Sequence, residues 1–264
     1  MSEHRHRFDR VELDHGHVHV VRLGKGPAVV LLHQTPRSWD EYRDVLPHLA
    51  AAGYTAVAVD TPGFGDSAPV PGEPSIEAWA EAVHLALDEL GIERAAVAGH
   101  HTGGSIAVEL ARQRPERVVA LVLSSTSLTD AAFRATAPDE SSVDAGEDAE
   151  SLRRSRSDLY PDDRPDLLER YVEDALRAGP MARAGHHVVA SYEMEHALEK
   201  LTMPVLLIAA TEDPYAYPQL GRLRAALPHA QSVEIHGGMV PLPDGWPQEF
   251  ASALLHFLRT RASV

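Results

Sequence analysis

The stretch Gly99-His100-His101-Thr102-Gly103-Gly104 joins a short apolar run, Arg94–Gly99 (RAAVAG), to an amphipathic one, Thr102–Gln113. A strand passed so abruptly to a helix implies a sharp turn, and the small residues at 99, 103 and 104 let the two elements pack closely. The same alternation runs outward in both directions. Ala28–His33 (AVVLLH), Tyr54–Asp60 (YTAVAVD), Val118–Leu123 (VVALVL), Val205–Ala209 and Ser232–His236 read as strands, most of them nearly continuous apolar runs. Runs of that kind belong to strands buried on both faces of a parallel sheet. Amphipathic stretches near Trp39–Ala51, Ile76–Leu90, Leu220–Ala226 and Gln248–Arg259 supply the helices. Before them, His15–Leu23 alternates like a strand with one face in water. The order predicts an α/β fold, a doubly wound and mostly parallel sheet.

One region interrupts the pattern. Residues 127–202 hold no strand-like run, are rich in charge, and read as two to four helices. Their stretch Pro138–Glu150 (PDESSVDAGEDAE) has six acids and no base, which predicts a mobile segment. A helical insertion between two sheet strands predicts a lid over the strand ends. The domains expected are therefore a core of residues 1–126 and 203–264 with a lid at 127–202. No internal repeat is present.

Composition narrows the function. Against 24 Lys+Arg stand 39 Asp+Glu, a net charge of −15. This balance argues against non-specific binding to nucleic acid or an anionic membrane, both of which need a basic surface. No apolar run approaches the ~20 residues of a bilayer span, and the start MSEHRHRFDR lacks a secretory apolar region. With no cysteine there is no disulfide and no thiolate nucleophile. A cytoplasmic protein with a small-molecule substrate is expected, and a homodimer stays open.

Ligands of open α/β sheets bind beyond the carboxyl ends of the strands. That selects the turns after His33, Asp60, Gly99 and Ala210. The first reads HQTPRSW (His33–Trp39), the second DTPGFGDS (Asp60–Ser67), and the fourth ATEDP (Ala210–Pro214). Together with Gly99–Gly104 they resemble, over nearly the whole chain, the α/β-hydrolase superfamily, whose nucleophile sits in a G-x-S-x-G elbow. The resemblance implies an α/β-hydrolase fold with an inserted helical lid. It also implies an atypical triad. The nucleophile position holds His101, and the stretch His236-Gly237-Gly238-Met239-Val240-Pro241 puts Met239 where the family's histidine belongs. Asp213 keeps the family's acid. An ordinary Ser-His-Asp esterase is thereby excluded.

The resemblance assigns oxyanion stabilisation to the backbone N–H groups of Thr102 and Gln34, with His33, Trp39 and Met239 as substrate-binding candidates. His101 precedes a helix, whose positive end is expected to keep the ring neutral near pH 7. Three roles remain open for it: general base, direct nucleophile, or none. Asp213 would be its electrostatic partner. The function expected is a cofactor-independent enzyme acting on a small, mostly apolar carbonyl compound, by ester, lactone or C–C hydrolysis or by lyase, isomerase or cyclase chemistry. The alternative is a catalytically inactive ligand-binding protein. His100 reads as packing beneath the elbow, and His15, His17 and His19 as solvated positions on an edge hairpin. His33, His101 and Asp213 could converge on a metal, but no metal-ligand spacing supports it, so neither metal nor cofactor is expected.

Overall fold

A computed structural model of the chain describes residues 5–136 and 148–261. Eight strands form one sheet: β1 (Arg7–Leu13), β2 (Gly16–Gly24), β3 (Ala28–Leu32), β4 (Thr55–Val59), β5 (Ala95–His100), β6 (Val118–Ser124), β7 (Val205–Ala210) and β8 (Gln231–Ile235). Their spatial order is β1-β2-β4-β3-β5-β6-β7-β8. Strand β2 is antiparallel to both of its neighbours, and all the remaining pairs are parallel.

The apolar runs form strands because each face of the sheet has its own helical cover. Along β3, Val30 and Leu32 enter one core while Val29 and Leu31 enter the other, the two-residue alternation of a pleated strand. The first core includes residues of α2 (Ile76–Glu89), α3 (Thr102–Gln113) and α9 (Leu220–Ala226). The second includes residues of α1 (Leu46–Ala51) and α11 (Pro247–Arg261), with Tyr42, Phe250 and Phe257 fully buried. The doubly wound sheet read from the sequence is the one found.

The hairpin strand β1 was not legible, because Val11 is its only buried side chain. The stretch Trp39–Ala51 divides into a 3₁₀ turn at Trp39–Tyr42 and the short α1. Between β6 and β7 the described residues form five α-helices, where two to four were expected. They are α4 (Ala131–Thr136), α5 (Ala149–Arg156), α6 (Pro165–Ala178), α7 (Pro180–Ser191) and α8 (Met194–Leu198). Leu152, Tyr160, Leu167 and Tyr171 give α5 and α6 a small apolar cluster of their own. Most of Pro138–Glu150, the segment expected to be mobile, lies outside the described residues. Its last three begin α5, with Asp148 capping the Ser151 N–H. A four-residue helix, α10 (Leu242–Gly245), precedes α11.

Candidate active site

Strand β5 ends at His100 and α3 begins at Thr102, so one residue makes the whole turn. That residue, His101, has φ 46° and ψ −111°, a conformation costing about 1–3 kcal/mol outside glycine. Close packing holds it there. A Cβ on Gly103 would collide with the Leu32 carbonyl, and one on Gly99 with the Gly103 backbone. Strand and helix are therefore pressed together, and the imidazole is displayed at the mouth of the sheet.

From there the ring meets Asp213 directly, with Nε2 2.8 Å from Oδ2. The contact is close but lies off the hydrogen-bond axis, since neither atom meets the angular requirement of such a bond. The other carboxylate oxygen of Asp213 accepts the Tyr215 and Ala216 amides, at 2.9 and 3.0 Å. Burial would raise the Asp213 carboxyl, but His101 and the two amides outweigh it and hold it below the usual value. For His101, burial favours the neutral ring, yet Asp213, with Glu41 in support, raises its pKa above 6.5. The shift runs opposite to the one expected from the helix end. A carboxylate in contact outweighs the partial charge of a helix end. Nε2 is enclosed, while Nδ1 has no bonding partner among the described residues and is not sealed off. The side chain is 17% exposed.

The expected pair of oxyanion donors is not available as a pair. Gln34 gives its backbone N–H to Glu41 Oε2 (2.9 Å) and its side-chain amide to Glu41 Oε1 (2.6 Å). Gln34 is therefore committed inward, which corrects the expectation that it faces a substrate oxygen. Glu41 is fully buried. Burial raises its carboxyl, against the pull of Arg37, the Gln34 donors and His101. The Thr102 N–H has no acceptor among the described residues, while its hydroxyl accepts the Thr35 N–H at 3.2 Å. Glu41 was missed in the sequence. The available signal was an acid two residues beyond Trp39, itself a substrate-binding candidate.

Other candidates serve the frame. His33 is buried, donates from Nδ1 to the Gln34 carbonyl and accepts the Thr61 N–H on Nε2, both at 2.9 Å. It ties the β3 and β4 turns together with both nitrogens occupied, so it has none left for substrate or metal. Trp39 packs edge-on against Phe8 at 5.6 Å, and its backbone N–H donates to Asp60 Oδ1. Met239 is half-buried in the loop after β8, and the nearby His236 is exposed. That loop is pinned by His100, whose Nε2 donates to the Val240 carbonyl at 2.8 Å. His100 Nδ1 accepts from Ser124 Oγ at 3.0 Å. This Ser–His pair is sealed beneath the elbow, with both residues fully buried. His19 is not solvated as expected, because Asp60 draws it inward at 2.7 Å. His19, Asp60 and Asp66 are close enough to hold an ion. Asp60, however, already accepts from Trp39, Asp66 and His19.

The turn after β3 is anchored by a buried ion network. Arg37 pairs with Asp244 of α10 and with Asp174 of α6 (2.8 Å), and Arg170 of α6 reaches Asp244 (2.9 Å) and Asp40 (2.5 Å). The α6 helix is thereby fixed to the turn that carries Gln34 and Glu41. Two clefts elsewhere, of about 540 and 740 Å³, include none of the residues around His101.

Comparison with known proteins matches residues 27–244 to a family model described as the alpha/beta hydrolase fold. A bifunctional epoxide hydrolase 2 of Rattus norvegicus is 36% identical over 127 residues, covering 44% of this chain and 23% of its own length. The chain thus spans under a quarter of that relative. A 2-hydroxy-6-oxononadienedioate/2-hydroxy-6-oxononatrienedioate hydrolase of a Pseudomonas species is 26% identical over 82% of both chains. The crystal structure of an enol-lactonase from Burkholderia xenovorans superimposes with a TM-score of 0.79 at 20% identity, covering 96% of this chain and 100% of that one.

Proposed function

The chain belongs to the alpha/beta hydrolase fold family, and from that premise we propose that it is a hydrolase whose elbow histidine acts as a general base. The observation that carries this reading is the 2.8 Å approach of His101 Nε2 to Asp213 while Nδ1 has no partner among the described residues. A carboxylate that stabilises one imidazole nitrogen, with the other left open, is the arrangement general-base chemistry needs.

In its neutral form the ring takes a proton from water at Nδ1. The resulting hydroxide adds to a substrate carbonyl. The Thr102 N–H stabilises the oxygen that gains charge. As the intermediate collapses, Nδ1 returns the proton to the leaving group, and Asp213 stays ionised throughout. Esters, lactones and activated C–C bonds beside a carbonyl suit this sequence. The helices at 127–202 would act as a lid over the cleft, a role supported by the Arg37 and Arg170 ties to the β3 turn. Small, mostly apolar substrates fit the thioether at Met239, which takes the place of a triad histidine.

A second reading keeps His101 as base but removes a substrate proton rather than one from water, giving lyase, isomerase or cyclase chemistry. The observation favouring it is the loss of Gln34 as a donor, which weakens support for a tetrahedral intermediate. Hydrolysis of a panel of activated esters and lactones by the wild type and His101→Ala tests the proposal, with a serine-directed fluorophosphonate as control. Turnover lost in the variant, without labelling of the wild type, is the expected result. Undiminished turnover in His101→Ala, or stoichiometric labelling, would overturn it. Saturable binding without turnover would instead mark a ligand-binding protein.

A further inference from the structure

Glu41 has no part in the chemistry just described, yet it lies at the centre of the site. Its two oxygens take the backbone N–H and the side-chain amide of Gln34, and it is fully buried. In this family the residue after the early strand offers its N–H outward to substrate oxygen. Here that donor is held by a carboxylate supplied from the same turn. We propose that Glu41 fills from within the seat that a negatively charged oxygen would occupy at Gln34, so that the cleft selects ligands bearing no anionic group beside the reacting carbon.

The surrounding charges point the same way. Asp213 is a second buried carboxylate, and His101 lies within the electrostatic reach of both. The buried cation of this turn, Arg37, is already met by Asp174 and Asp244 and has little charge left for a ligand. A third negative group would enter a poorly screened region that already holds two carboxylates, with Arg156 a further cation felt at His101. Neutral esters, lactones and amides are the class it would admit.

This selectivity rests on reading the cleft at His101 as the substrate site, and it deepens that reading. Two isosteric fragments, butyrate and butyramide, test it on the full chain labelled at histidine, with the His101 ring resonances as the readout. Wild type is expected to bind butyramide about tenfold more tightly than butyrate at neutral pH. Glu41→Gln removes the charge and should erase most of that preference, while Glu41→Asp keeps the charge and should keep the preference. A wild type that binds butyrate as tightly as butyramide, or binds neither, would overturn the inference even if no variant folds. So would a folded Glu41→Gln protein with an unchanged ratio, or a folded Glu41→Asp protein that loses the ratio as fully as Glu41→Gln. Binding is read without turnover. A cleft that discriminates but never hydrolyses would therefore sink the proposed activity and leave this selectivity standing.

Discussion

His100 and His101 are adjacent in sequence, their rings stand 4.6 Å apart at 86°, and they are opposites in chemistry. His100 lies beneath the elbow with both nitrogens satisfied, by Ser124 and Val240. Burial, reinforced by the neighbouring imidazolium, pushes its pKa down to about 3. His101 lies on the cleft side, where Asp213 overrides burial and raises it. Adjacent positions thus hold one ring that burial keeps neutral and another whose protonated form a carboxylate favours. The lesson is that the side of the sheet's edge a ring faces decides its role, because that side decides which partners it meets.

The difference can be broken from the cleft side first. His101→Ala is expected to lower turnover by about 10²–10⁴-fold, the usual contribution of a positioned acid or base, as measured by steady-state kinetics. Asp213→Asn should approach that loss and also lower the His101 midpoint, which separates it from a purely structural defect.

Next comes the frame that holds the cleft. Arg37→Ala takes one of its two cations from buried Asp244, and the Arg37 partner from Asp174, and should destabilise the fold by about 3–5 kcal/mol in denaturant unfolding. Beneath the elbow the effect is smaller. His100→Ala strands the Val240 carbonyl and should cost about 1–3 kcal/mol, with little change in the His101 midpoint beyond the loss of one neighbour.

A gain of function sharpens the comparison further. His101→Ser alone should give little esterase activity, because Met239 offers no base, whereas His101→Ser with Met239→His should hydrolyse activated esters. A single variant that is already efficient would show that another histidine reaches the elbow.

Much of this was legible in the sequence, for a physical reason. Strands buried on two faces are written as short apolar runs, and a one-residue turn between strand and helix demands the small residues at 99 and 103. The sequence could not convey partners that are distant along the chain. Glu41 and Gln34 look like two unrelated polar residues until the 3₁₀ turn at Trp39–Tyr42 folds one under the other. The direction of the His101 shift differs from the sequence-based expectation because helix polarity is visible in sequence and a contact with Asp213, 112 positions away, is not. His19 was read as solvated because alternation in β2 does not reveal Asp60 beneath it. Strand β1 escaped because an edge strand with one buried residue has no apolar signature.

If Asp213 makes the elbow histidine a base, the contact should hold the ring's proton more tightly than in a free histidine. Linkage fixes the signs. The His101 contribution to stability is present below about pH 6.5 and fades as pH rises through its higher folded midpoint, while that of Asp213 is lost as pH falls below its ordinary range. A histidine-labelled NMR titration reads both rings at once. The result expected is a His101 midpoint above 6.5 that falls in Asp213→Asn, with His100 uncharged down to about pH 4. A His101 midpoint at or below 6.5, unmoved by Asp213→Asn, would refute that role for Asp213.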